Sequence, residues 1–270
     1  FGPADLAFDG TRLWVANAGD GTLQAIDLAT GLTGAPVSVG ASPIALASDG
    51  VQLWVANYDD HTVQAINLTT GQPGAPIPVG AGPIALASDG VQWWVANKDD
   101  NTVQAIDPVT GLPGEPVPVG AAPYALAFDG QRLWVANAGS NTVQAFDLQA
   151  GSLSDEIRVG FGPRNLVFDG TWLWVINFGN NTVQAIDPNT GEVGQPIRAG
   201  RSPNDAAFDG QRLWVANSDD NSVRSIDVAT GEVSDPIPVG LSPSALAFDG
   251  TRLWVANTDS NTVQYIVIHK

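Results

Sequence analysis

An all-β fold, a seven-bladed β-propeller, is predicted from three observations. A 40-residue unit recurs along the whole chain, each unit holds four strand-like runs, and the segments between them carry turn chemistry rather than a helical apolar period. The block FDGTRLWVANAGDGTLQAID begins at Phe8 and returns as SDGVQLWVANYDDHTVQAIN from Ser48, then at Ser88, Phe128, Phe168, Phe208 and Phe248. No insertion interrupts the spacing. Residues 1–270 therefore read as a single domain of units 1–40, 41–80, 81–120, 121–160, 161–200, 201–240 and 241–270, the last lacking its outer strand within the given chain.

The first unit shows the four runs in order as ADLAF, LWVAN, TLQAID and APVSV. The first run is rich in alanine (Ala7, Ala47, Ala87, Ala127), which suits the crowded centre of a ring. The second, Leu13-Trp14-Val15-Ala16, is apolar at consecutive positions, the pattern of a strand covered on both sides. The third, Thr22 to Asp27, mixes polar and apolar residues and belongs further out. The fourth carries prolines two apart, as at Pro76 and Pro78, Pro116 and Pro118, Pro236 and Pro238, so one edge lacks donors and the strand is outermost. Asp9-Gly10 and its equivalents supply tight turns, and the Asp that ends the third run (Asp27, Asp107, Asp147, Asp187, Asp227) opens the next turn through its side chain. Tryptophans at one repeat position (Trp14, Trp54, Trp94, Trp134, Trp174, Trp214, Trp254) are expected to wedge between blades. Each contributes on the order of 3 kcal/mol against a domain stability of about 5 to 15.

Composition excludes several function classes. The chain has no cysteine, hence neither a thiolate nucleophile nor a cysteine metal site. Its formal charge of −17 opposes binding to nucleic acid. No apolar run is long enough to span a bilayer. The absence of any methionine leads us to expect a processed or excised part of something longer.

The repeat xLWVANxxxNTVQAIDxxTGxxxxPIPVGxxPxALAFDG resembles that of the YVTN family of propellers, and through it the NHL and virginiamycin-type lyase propellers of bacteria. The resemblance covers the whole chain and implies an extracellular or cell-envelope binding or scaffold module without cofactor. Related seven-bladed enzymes, lactonases and lyases, use His and acidic residues around the central opening. This chain has only His61, in a hairpin where other units have Gly or Asn, and His269 in the tail.

Standard catalytic strings are missing, so no catalytic or metal residue is assigned. The paired acids Asp59-Asp60, Asp99-Asp100 and Asp219-Asp220 lack the spacing of a calcium loop and read as solvated turns. Positions where the units disagree are more informative, because a requirement of the fold would apply to all of them. Where units two and three have Ile44, Ala45 and Ile84, Ala85, later units place Tyr124, then Phe161, Arg164 and Asn165, then Arg201, Asn204 and Asp205, with Phe1 and Asp5 in the first. Tyr58, Lys98 and Phe178 join them on the same rim. Tyr124, Arg164, Asn165, Arg201, Asn204 and Asp205 are thus the candidate ligand site at the channel mouth, for a small anionic ligand or a protein segment. Three further readings stay open: Arg164 and Arg201 neutralise Asp205 and other acids; the chain is a lactonase- or lyase-type enzyme with a metal at the mouth; or it is an engineered or recently amplified repeat protein without ligand. Finally, the third run of unit seven, Thr262 to Ile268, has lost its turn-opening Asp and has no proline-bearing neighbour. Such a bare edge is expected to take an added strand, from residues preceding Phe1, from a partner or from another copy.

Overall fold

A computed structural model describes residues 2–268, so Phe1 and His269 lie outside the described residues. In the first unit β1 (Pro3–Phe8), β2 (Arg12–Asn17), β3 (Thr22–Asp27) and β4 (Val37–Ser38) form an antiparallel sheet in that order. The same arrangement recurs to give seven sheets, the blades of one propeller. The first strands of neighbouring blades pack on one another around the axis, β1 against both Pro43–Ser48 and Pro243–Phe248, which places the alanine-rich run at the centre. Blade four extends the usual bridge after its third strand into a short extra strand, Ser152–Leu153, and blade seven has three strands. The helical content among the described residues is two 3-10 turns, Phe178–Asn180 and Ser218–Asp220.

Blade contacts follow the tryptophans. Trp14 packs with Leu46, Leu53, Val55 and Ile66 of the next blade, and Trp254 packs with Leu6, Leu13 and Val15 of the first, so the ring is closed by the same interface that builds it. The turn-forming Asp of every repeated Asp-Gly pair except Asp49 has a second task that the repeat pattern did not reveal. Asp9 Oδ1 accepts the N–H of Thr11 and Arg12, while its Oδ2 accepts the Trp14 indole N–H at 2.8 Å. The paired acids of the hairpins, read from sequence as solvated, tie down the incoming segment of their own blade. Asp60 Oδ2 accepts Ala41 N–H at 2.8 Å, and Ser42 Oγ donates to Asp59.

Two backbone features position the central opening. Every first strand carries a β-bulge at the same place, as between Pro3 and Asp5 in β1, which adds one residue and re-aims the side chains around it. Each incoming connection also passes so close to the next blade that Gly40 has no room for a side chain: a Cβ there would stand 2.7 Å from Asn57 Cγ. Its N–H donates instead to Gln64 Oε1 at 3.0 Å.

Candidate functional site

The bulged first strands of all seven blades surround a central cavity of about 440 Å³. Around it the residues at and after each bulge form two unlike arcs. Blades two to four contribute Ile44, Leu46, Ile84, Leu86, Tyr124 and Leu126, whereas blades five to seven and blade one contribute Arg164, Asn165, Asn204, Asp205, Ser244 and Asp5. Since all these side chains stand on strands whose register is set by the sheet, the repeat itself aims them inward.

On the rim of the polar arc, Arg164 lies flat on Phe178, its guanidinium carbon 3.4 Å from the ring centroid, with the Tyr124 ring at 5.4 Å. Its Nη1 donates to Asn204 Oδ1 at 3.1 Å, and Asn204 Nδ2 donates onward to Ser244 O at 3.0 Å. Lys98 Nζ stands 5.9 Å from the centroid of the same Tyr124 ring and 5.7 Å from that of the Tyr58 ring. The Tyr58 hydroxyl donates to Asp99 Oδ2 at 2.9 Å, which together with burial raises its pKa above the ordinary phenol value. Among the described residues no carboxylate lies within 4.0 Å of the Arg164 or Lys98 nitrogens.

One residue beyond the bulge, Asp5 and Asp205 flank blade seven. Asp205 Oδ2 accepts Leu246 N–H at 2.6 Å and its other oxygen accepts the Asn165 amide. Asp5 Oδ2 accepts Leu46 N–H at 2.6 Å and Oδ1 its neighbour Leu6 N–H at 2.8 Å. Each residue keeps some surface open to the cavity, yet the carboxyls are surrounded by protein. Desolvation pushes Asp205 up to about 7; desolvation first, and then the negative charge of Asp205, push Asp5 up to about 8.

The structure therefore brings Tyr124, Arg164, Asn165, Asn204 and Asp205 to one cavity. It separates Arg201 from them. Arg201 is 70% exposed, 4.0 Å from both Asp219 and Asp220 on the outer rim, and borders a different depression with Arg198 and Arg224. Neither arginine pairs with Asp205, so the expected neutralisation of that acid is not what holds Arg164 in place. Phe161 is likewise exposed on the rim, outside the cavity. Sequence reading missed Ser244 and Thr258, whose hydroxyls meet at 2.7 Å beside the Pro3 carbonyl. Both are departures from the other units at their repeat positions, the same signal that found Arg164. Among the described residues no group of three or more His, Asp or Glu converges as a metal-binding set.

No protein-family model and no curated protein matches the chain by sequence. Solved structures do. A chain of hydrazine synthase from Kuenenia stuttgartiensis superimposes with a TM-score of 0.87 at 22% identity, covering 99% of this chain and 96% of that one. The virginiamycin B lyase of Staphylococcus aureus gives 0.85 at 16%, covering 99% and 95%. A streptogramin B lyase gives 0.85 at 14%, covering 99% and 94%. The chain shares their propeller fold. At these identities the likeness speaks for architecture, including that of the virginiamycin-type lyases the repeat resembles, and leaves activity to the cavity.

Proposed function

We propose that this propeller is a binding module whose central cavity takes a small anionic ligand, anchored by Arg164 and Lys98. One observation carries the reading: in a chain with 28 acidic and only 11 basic residues, two cations share the Tyr124 ring at the mouth and neither meets a carboxylate among the described residues. A guanidinium held flat by an aromatic ring keeps its forked donors available for an oxyanion, and its orientation is already set before binding. Arg164→Gln should weaken binding of carboxylate or phosphate ligands by roughly tenfold or more, as loss of a charge-assisted hydrogen bond does. Arg201→Gln, outside the cavity, should leave binding unchanged. Calorimetric titration of both variants decides the matter, and equal affinity for Arg164→Gln and the parent chain removes the site.

A protein segment has a separate place to dock. Among the described residues the outer edge of the strand Thr262–Val267 has no partner, whereas in blade two the corresponding edge is covered by Ile77–Pro78, with Ile77 opposite Val63. A β-branched residue followed by proline is the chemistry that would fit there.

The enzyme reading is favoured by a different observation, two carboxyls in the cavity whose protonation changes near neutrality, as a general acid or base requires. Conversion of virginiamycin B by the chain, lost in Asp205→Asn, would establish it; no conversion removes that substrate from consideration.

A further inference from the structure

The anchored anion would not fill the cavity. Beside Arg164 stands the apolar arc of Ile44, Ile84, Leu86 and Leu126, which a small hydrated ion would leave in contact with water. An apolar body attached to the anion would cover that arc and gain from its burial. The ligand chemistry that suits both halves is amphipathic.

Opposite this arc hang Asp5 and Asp205. The strand Pro43–Ser48 gives Asp5 the Leu46 N–H, and the strand Pro243–Phe248 gives Asp205 the Leu246 N–H. The strand Pro163–Phe168 brings the Asn165 amide to Asp205 and sends Arg164 away to Phe178 and Asn204. Asp5 and Asp205 are the charged neighbours of one another, and among the described residues no ammonium or guanidinium lies within 4.0 Å of either. Asp99, bound to Tyr58, and the imidazole of His61 belong to the rim.

Building on the anion-binding reading above, we propose that the ligand is an amphipathic monoanion, an apolar body ending in one carboxylate, and that the cavity holds it while Asp5 and Asp205 are protonated and releases it as they ionise. With both carboxyls neutral, Arg164 is the one charged side chain lining the cavity among the described residues, with Lys98 adding a second positive charge at the rim, and an anion is attracted. Ionised, the two acids cancel those charges and repel a third carboxylate across a poorly solvated space. Both acids change state close to neutrality, so the device works in a range that a protein meets.

Isothermal titration with octanoate, acetate and octylammonium at about pH 6 and about pH 9 tests this. Octanoate should bind roughly tenfold or more tightly at the lower pH. Acetate, lacking the apolar body, should bind more weakly than octanoate at both. Titrations near pH 8 in buffers of different ionisation enthalpy should show net proton uptake on octanoate binding, a readout that needs no variant. Asp5→Asn with Asp205→Asn should keep octanoate binding at the higher pH, and His61→Gln should leave the pH profile as it was. Octanoate affinity that ignores pH, without proton uptake, overturns the gating while leaving anion binding intact. A preference for octylammonium over octanoate at the lower pH, where the acids are neutral, contradicts an anion site and overturns the proposal. If octanoate, acetate and inorganic phosphate all fail to bind at either pH, the anion site itself falls.

Discussion

Asp5 and Asp9, four residues apart in the first unit, are driven in opposite directions, and the same two repeat positions diverge in later units. Asp249 is partly buried, which by itself would raise its pKa, but the Trp254 indole, the Arg252 and Thr251 N–H groups and the Thr251 hydroxyl all donate to it and hold it well below the carboxylate range. Asp9 and Asp129 are lowered in the same way. Asp205 receives fewer donors for its burial and is raised to about 7. Because its folded pKa exceeds the unfolded value, the native state binds more protons than the unfolded chain between about pH 4 and about pH 7. Stability falls across that window as pH rises. Asp205→Asn removes the penalty and keeps an acceptor for Leu246 N–H, so urea denaturation should find the variant more stable by about 1 to 3 kcal/mol at pH 8 and no different near pH 4. An equal difference at both values would mean that Asp205 is not desolvated as described.

At the scale of the element, the blades differ less in their strands than in how a single replacement propagates through an interface. Unit three has Trp93 where the other units have Leu, and Trp93 stacks on Trp54 of the preceding blade with ring centroids 5.7 Å apart. Trp54 Nε1 is buried without an acceptor among the described residues, while Trp134 donates to Asp129 Oδ2 at 2.8 Å. Trp134→Phe should therefore cost about 1 kcal/mol more than Trp54→Phe, the worth of one buried hydrogen bond, measurable as a difference in denaturation midpoint. Trp93 was visible in the sequence as a departure from the repeat. Its effect on Trp54 was not, because the two lie in different units and meet only across the blade interface.

At the scale of the whole molecule the ring closes where blade seven meets blade one. Blade seven reaches blade one through Trp254 against Leu6, Leu13 and Val15, and through Thr258 Oγ1 and Ser244 Oγ, both donating to Pro3 O. If this seam is equivalent to the others, Trp254→Ala and Trp134→Ala should each cost about 3 to 5 kcal/mol. A much smaller loss, or hydrogen exchange that is fast throughout Pro243–Phe248, would show a ring that opens at the seam. Exchange should in any case be faster at the uncovered edge of Thr262–Val267, where Tyr265 is 51% exposed, than in the covered third strands of the other blades.

Much of this architecture was legible before any coordinate. Strand boundaries follow from turn residues and from apolar runs a few residues long, and those are local. The order of strands within a blade followed from alanine, continuous apolar and proline patterns, each tied to a place from the axis outward. Comparing units also picked out Arg164, Asn165, Asn204, Asp205 and Tyr124 as a set. The same comparison put Arg201 among them, and only the tertiary structure set it apart, since a bulge turns one residue of a strand inward and leaves the connection before it on the outer rim. Asp5 and Asp205, in units one and six, become neighbours of a single blade only when the ring closes. Their protonation near neutrality is set by the collective loss of water around them, which arises from packing of all the blades and is written at no single position.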